Sequence, residues 1–313
     1  MGLRLRDSIG RQLRELRYEP TAKRIRAVLN GTTVVDSDRA VLVWEPRRVV
    51  PTYAVPAEDI DAELSPEPTG SVAAEGTGDV GFALPDVTTM PVLDPRVPFS
   101  VHSTEGEPVA LRTAGAGNAL GFRPGDEDLT GYVVLDFDGF DRWLEEDDEI
   151  VGHPHDPFQR IDVRRTSRHI RVMLGDTLLA DTRRAKMLFE TLLPVRYYLP
   201  PDDVVAELQP SATTSYCAYK GEAAYRSAVT AGGVLHDIAW RYDEPLVDAS
   251  EVRGARGLFR RVARSGRRRC GPVSAGDSLV LVLLAGAGVG APEDDLERPG
   301  PRARVRAIRI RRP

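Results

Sequence analysis

The segment Cys217–Gly221 (CAYKG) carries the most specific chemical signal in the sequence. Gly221 directly after Lys220 suits a tight turn that exposes backbone N–H groups, and an ammonium beside such a turn could hold an anionic ligand. The alternative is a hairpin turn with a solvated lysine. Cys217 could act as a nucleophile if a base activated it, but His169 and His236 stand at no diagnostic spacing from it. The pattern therefore favours a buried structural cysteine.

Glu190 ends an apolar run and is followed by Arg196. A carboxylate at a strand end can line a pocket together with a nearby cation. The same two residues can equally form an ion pair that only fixes the crossing of two strands. Glu45 stands at the matching position of a related segment, which slightly favours the structural interpretation.

Aromatic residues are concentrated in the same part of the chain. Most are expected in the core, since aromatic rings supply much of the buried area of a small domain, but one or two could stack on a planar ligand. The catalytic candidates are Glu190 and Cys217. The predicted ligand-binding residues are Arg196, Tyr198, Tyr219, Lys220, Gly221 and Trp240.

Metal and cofactor chemistry has little support in the sequence. His153, His155 and Asp156 form a short cluster, but neighbouring prolines mark it as a linker, and two histidines with one aspartate are too few ligands. Cys217 and Cys270 are the two cysteines, which cannot form a four-thiolate zinc site. The motifs of phosphate-binding loops, dinucleotide-binding folds and zinc proteases are missing, so neither a metal nor a cofactor is predicted.

An internal duplication positions these residues. Residues 25–45 align without a gap on residues 170–190 at an offset of 145, and after a one-residue deletion the match continues at an offset of 144. A weaker second half aligns 102–107 with 217–222 and 121–123 with 239–241. The identical pairs include Ile25/Ile170, Arg26/Arg171, Leu29/Leu174, Asp36/Asp181, Arg39/Arg184, Ala40/Ala185 and Glu45/Glu190.

Each repeat has the pattern of a small antiparallel β domain. In the second repeat, alternating apolar and polar residues on either side of Gly175-Asp176 predict a β-hairpin, and further strands are predicted at 185–189 and 196–199. Helix-start residues predict a short helix at 204–208, and FDRWLEEDDE at 140–149 predicts an acidic amphipathic helix. The fold class is mainly β, with two tandem domains and short helices.

The repeats divide the chain into segments. Residues 1–19 are an N-terminal amphipathic segment, residues 20–152 the degenerate first repeat, 153–161 a linker and 162–254 the second repeat. The first repeat contains a mobile loop at about 65–90, rich in small residues and proline. Residues 255–313 form an Arg/Gly/Pro-rich tail.

Composition points to an ordinary globular protein. The net charge of -5 over 313 residues gives no overall attraction to nucleic acid, and no binding fold accompanies the Arg-rich ends. No apolar run approaches the roughly 20 residues needed to span a bilayer. We therefore expect a cytoplasmic protein without membrane or nucleic-acid partners, whose oligomeric state the sequence leaves open.

The second repeat contains RHIRV at 168–172, LFE at 188–190, RYYLP at 196–200, YCAYKG at 216–221, Tyr225 and AWRY at 239–242. These motifs resemble a bacterial family called Domain of Unknown Function 427. The resemblance implies a β-tent-like fold of two small antiparallel sheets, and the family's nucleotidyltransferase-like label implies a group-transfer activity for which the chain has no motif. The first repeat departs from the pattern because HSTEG replaces CAYKG.

The tail departs from the family pattern as well. Directly after Gly254 the expected alternation of a strand gives way to ARGLFRRVARSGRRRCGP. A reading frame that slipped after Gly254 would explain this composition, and a genuine basic tail explains it equally well.

Two function hypotheses follow. In the first, the second repeat is a non-catalytic module that binds a small anionic or planar metabolite. In the second, the protein is a group-transfer enzyme of nucleotidyltransferase-like type that uses Glu190 or Cys217. A purely structural or interaction role is a third possibility.

Overall fold

The computed structural model describes most of the chain. The described residues are 2–67, 81–258 without positions 83, 85, 86, 89, 94, 96, 114–117, 175, 231 and 232, and 279–283. The greater part of the loop predicted at 65–90 and of the predicted tail lies outside the described residues, as do most of the residues that the frame-slip hypothesis concerns.

The first half of the chain begins with a helix and continues as short strands. These are α1 (Leu5–Gln12), β1 (Arg17–Pro20), β2 (Ile25–Leu29), β3 (Thr32–Ser37), β4 (Val41–Trp44), β5 (Thr52–Pro56), β6 (Glu63–Pro66), β7 (Gly81–Phe82), β8 (Val92–Leu93), β9 (Gly106–Arg112), β10 (Asn118–Pro124), β11 (Tyr132–Leu135), β12 (Arg142–Glu145) and β13 (Asp148–Ile150).

The second half repeats this succession of strands. They are β14 (Ile161–Arg165), β15 (Ile170–Leu174), β16 (Thr177–Thr182), β17 (Lys186–Glu190), β18 (Arg196–Leu199), β19 (Glu207–Cys217), β20 (Gly221–Thr230), β21 (Gly233–Tyr242), β22 (Arg256–Leu258) and β23 (Leu279–Leu283). Turns of 3₁₀-helix lie at Ala57–Asp59, Glu127–Leu129, Phe137–Gly139, Pro201–Asp203 and Val247–Val252.

Two seven-stranded antiparallel sheets dominate the fold, and they have the same strand order. The first is β1-β4-β5-β11-β10-β9-β6, and the second is β14-β17-β18-β22-β21-β20-β19. Each faces a smaller sheet, β13-β12-β2-β3 in the first half and β16-β15-β23 in the second. The predicted mainly β fold class is confirmed, and the matching orders agree with the internal duplication.

Local details repeat as well. A register shift in the β2–β3 hairpin at Ala27/Val28 recurs in the β15–β16 hairpin at Val172/Met173. The isolated bridge between Val35 and Ile60 also has a counterpart in the second repeat. The segment limits derived from the sequence stay a prediction.

The predicted helix at 140–149 is wrong. That segment forms strands β12 and β13, joined by a turn in which Glu146 has a φ of 51°. Trp143 is buried and stacks on Phe137 with ring centroids 5.0 Å apart. Pairing of β12 with β2 and burial of this indole outweigh the helix propensity of the acidic residues.

The predicted helix at 204–208 is also wrong. A 3₁₀ turn at Pro201–Asp203 precedes an isolated bridge from Val204 to Ala180, and β19 begins at Glu207. The chain here must return to the edge of the large sheet, so the strand displaces the short helix.

The second repeat retains part of the strand that the sequence indicated as lost. β22 pairs with both β18 and β21, which is the position that β11 holds between β5 and β10. Where β12 runs antiparallel to β2, however, β23 runs parallel to β15. In the described part of the chain, no helix has the length and apolar character needed to cross a membrane.

Candidate functional site

The hairpin between β19 and β20 presents the Cys217–Gly221 segment. Cys217 pairs with Gly221, which leaves a three-residue loop closed by a hydrogen bond from the Lys220 amide to the Cys217 carbonyl. Gly221 has a φ of 88°, a conformation that side chains oppose. The glycine after the lysine is therefore a requirement of the turn.

Lys220 is buried, and its ammonium contacts a carboxylate. Only 1 % of Lys220 and 6 % of Glu190 are exposed. The Nζ of Lys220 donates to both carboxylate oxygens of Glu190 at 3.0 Å, and the Nε2 of Gln159 donates to one of them at 3.2 Å. Lys220 is thus the direct partner of Glu190 and not a solvated lysine.

Arg196 adds a second buried cation beside the same carboxylate. Burial on its own would raise the pKa of Glu190, but the charges of Lys220 and Arg196, with the hydrogen bonds from Lys220 and Gln159, together hold this pKa below its usual value. The Arg196 guanidinium also lies 5.8 Å from the centre of the Trp240 ring. Glu190 is therefore an ionised carboxylate at neutral pH.

These side chains line a small cavity of about 20 Å³, close to the space that one water molecule needs. Among its charged residues, two cations face one carboxylate. Its lining consists of Val49, Val50, His153, Gln159, Glu190, Leu193, Arg196, Cys217, Tyr219 and Lys220. The structure thus brings together Glu190, Arg196, Cys217, Tyr219 and Lys220 from the predicted set.

Tyr198 and Trp240 lie in the core of the second repeat and not in the cavity wall. Both are buried, and the Nε1 of Trp240 donates to the hydroxyl of Tyr198 at 3.1 Å. Their rings meet edge to face with centroids 6.0 Å apart. Gly221 shapes the turn that carries Lys220.

The histidine that lines the cavity is neither of the two that the sequence suggests as a base for Cys217. Cys217 is buried, and His153 lines the same cavity. His169 instead contacts Asp181 at 2.7 Å, and His236 lies on β21. No spacing in the sequence links His153 to Cys217, because the linker reaches the hairpin only through the packing of the two repeats.

The linker is fastened to the hairpin by its own polar groups. The Nε2 of His155 donates to the carbonyl of Ala218 at 2.6 Å, and the amide of Asp156 donates to the hydroxyl of Tyr219 at 2.9 Å. The rings of His155 and Tyr219 stack at 5.0 Å. Within the described residues, no group of three His, Cys, Asp or Glu side chains is arranged to hold a metal ion.

The first repeat keeps the carboxylate but changes its partner. Glu45 and His102 are both buried, and the Nδ1 of His102 lies 2.7 Å from the carboxylate. The amide of Ser103 donates to the other oxygen at 2.6 Å, and His102 stacks on Phe122 at 3.9 Å. A carboxylate is thus fixed at the same place in both repeats, while the buried lysine belongs to the second.

A larger cleft of about 370 Å³ lies on the other side of the hairpin. Tyr216 and Ala218 face this cleft, whereas Cys217 and Tyr219 face the small cavity. The remaining wall carries more acids than bases. It is formed by Lys23, Glu145, Glu146, Asp148, Glu149, Ile150, Val151, His155 and Leu246.

Comparison with known proteins identifies the family. A sequence model described as "Domain of unknown function (DUF427)" matches residues 17–82 and 162–265, which together are more than half of the chain. The chain belongs to the DUF427 family. The two matched segments contain the cavity-lining residues of this DUF427 protein except His153 and Gln159, which lie between them. No curated protein matches the chain.

Proposed function

We propose that this DUF427 protein is a small-molecule-binding module whose site is the cavity of the second repeat. The observation that carries the proposal is the charge of the buried lining, where Lys220 and Arg196 face the single carboxylate of Glu190. Two cations and one carboxylate among the described lining residues give the cavity wall a positive potential, which attracts an anionic group. The ligand therefore presents an anionic group.

The size of the cavity restricts that group. A volume of about 20 Å³ admits one water-sized atom group, such as a halide ion or one oxygen of a carboxylate. The rest of a larger ligand would extend along the linker, whose His153 and Gln159 form one wall. Tyr198 and Trp240 support the site from the core and do not stack on the ligand.

Thermal unfolding in a series of anions tests the proposal. At constant ionic strength, chloride, formate and acetate should raise the melting temperature relative to a large anion, by RT ln(1 + [L]/Kd) in free energy. The variant Arg196→Met, which leaves Lys220 and Glu190 as a neutral pair, should lose this response, whereas Lys186→Met, at a partly exposed lysine of β17 outside the cavity, should retain it. An equal response in all three proteins would contradict the proposal.

A second candidate function is group transfer with Cys217 as the nucleophile. It is favoured by the position of Cys217 and His153 on the same cavity wall, where the imidazole could accept the thiol proton. Glu190 is a weaker nucleophile candidate because its carboxylate is held by Lys220. Mass spectrometry after incubation with activated acyl and nucleotidyl donors should detect an adduct that Cys217→Ser abolishes; no adduct would leave the binding function alone.

We also propose a cytoplasmic location. The sequence holds two cysteines, too few for the disulfide framework that is typical of small secreted domains, which suits a reducing compartment.

A further inference from the structure

Three arginines lie side by side on the inner face of the second large sheet. Arg226 pairs with Ala239 across β20 and β21, and Arg256 pairs with Leu199 across β22 and β18. Directly paired residues share a face, and Arg241 shares it too because it is two residues from Ala239. Ala239 and Leu199 belong to the core cluster between the large and the small sheet, so the three guanidinium groups are on that side.

The first repeat has apolar residues at two of these positions. Val109 pairs with Gly121 as Arg226 pairs with Ala239, and Val133 pairs with Val55 as Arg256 pairs with Leu199. Val109 and Val133 are 1 % and 0 % exposed and fill the core of the first repeat. The fold therefore does not require cations here, and the two repeats differ at these positions.

The charges of these arginines are poorly balanced by the described residues. The Nε atoms of Arg226 and Arg241 are buried and have no hydrogen-bond partner among the described residues. The carboxylate of Asp243 lies 2.9 Å from the Nε of Arg241, close enough for an ion pair but outside hydrogen-bonding geometry. The pKa of Arg226 is lowered by burial first and then by the charges of Arg241 and Arg256.

We propose that Arg226, Arg241 and Arg256 form a binding site for the phosphate group of a small phosphorylated ligand. Three guanidinium groups against the single carboxylate of Asp243 leave about two positive charges, which matches a phosphate with a charge of about −1.5 to −2 at neutral pH. The planar guanidinium group of arginine can also donate two parallel hydrogen bonds to a pair of phosphate oxygens. Three guanidinium groups on neighbouring strands can reach different oxygens of one phosphate.

This site is independent of the proposed function in the second-repeat cavity. Arg196 pairs with Leu188, which packs with Trp240 in a separate core cluster, so the cavity and its cations lie on the opposite face of the sheet. A ligand can therefore occupy either site without contacting the other.

Titration calorimetry of the full chain with inorganic phosphate and pyrophosphate tests the proposal. Arg226→Val and Arg256→Val introduce the residue type that the first repeat buries at each position, so both variants should fold. Each should weaken pyrophosphate binding at least tenfold, the loss expected when a charge-assisted hydrogen bond of about 1.5–3 kcal/mol is removed. Arg165→Val, at an exposed arginine of the edge strand β14, should bind as the unmodified chain does.

Three outcomes would overturn the proposal. They are no phosphate or pyrophosphate binding by the unmodified chain, equal binding by all the variants, and tighter binding of a short oligonucleotide with the same dependence on the arginines. The last result would assign the surface to nucleic acid. If Arg226→Val fails to fold, Arg226→Lys, which keeps the charge and loses the fork, should still weaken pyrophosphate binding; unchanged affinity in Arg226→Lys and Arg256→Val would count against the site.

Discussion

Replacement of Lys220 by methionine should strongly destabilise the second repeat. Methionine fills a similar volume without the charge, so the carboxylate of Glu190 loses two hydrogen bonds of 3.0 Å while it stays buried. Removing one partner of a buried ion pair costs about 3–5 kcal/mol. The Lys220→Met variant should therefore lose about that much unfolding free energy.

A double-mutant cycle separates this charge effect from packing. Glu190→Gln alone should also be destabilising. The double variant Lys220→Met/Glu190→Gln should lose clearly less unfolding free energy than the two single variants together, because it leaves neither charge buried without its partner. As a control, Lys186→Met removes an exposed pair with Glu251 and should cost less than about 1 kcal/mol.

Urea denaturation can follow the second repeat on its own. Trp44 and Trp143 belong to the first repeat, so their replacement by phenylalanine leaves Trp240 as the fluorescence reporter of the second. Two results would refute the reasoning: a loss of less than about 1 kcal/mol in Lys220→Met, or additive losses in the cycle. Either would mean that the pair is effectively solvated.

Three further predictions concern single contacts. Because the folded pKa of Glu190 is lowered, its stabilising effect is complete above its usual pKa and disappears as the pH falls through the folded value. The melting-temperature difference from Glu190→Gln should therefore shrink as the pH falls below about 4.5. Tyr53→Phe removes a buried 2.6 Å hydrogen bond to Glu145 and should cost about 1.5–3 kcal/mol in urea denaturation. Gly257→Ala would place a Cβ 2.4 Å from the Trp240 ring and should cost about 1–3 kcal/mol, measured by the same assay; a neutral effect would show that the ring is free to move.

Local pattern was sufficient for part of the fold. The β15–β16 hairpin and the Arg196–Leu199 strand follow from alternation and turn residues, and both occur where the sequence places them. The segment at 140–149 does not, because its strand exists through pairing with β2 and through burial of Trp143 against Phe137. Such long-range pairing leaves no local signal.

The candidate site shows the same division. Sequence similarity between the repeats singles out Glu190, and the glycine of the turn singles out Lys220. That Lys220 is buried against Glu190, with His153 of the linker on the same cavity wall, depends on the packing of segments far apart in the chain. The sequence therefore predicts which residues could lie close together, but not that Lys220 would be buried in contact with Glu190.

Anomalous diffraction from crystals soaked in bromide tests the central claim most directly. Bromide is comparable in size to the group that a cavity of about 20 Å³ admits, and it needs the excess positive charge of Lys220 and Arg196 to enter. The proposed function predicts an anomalous peak within hydrogen-bond distance of these two cations, which the Arg196→Met variant lacks. A cavity that holds only water, in crystals where bromide occupies surface sites, would contradict it.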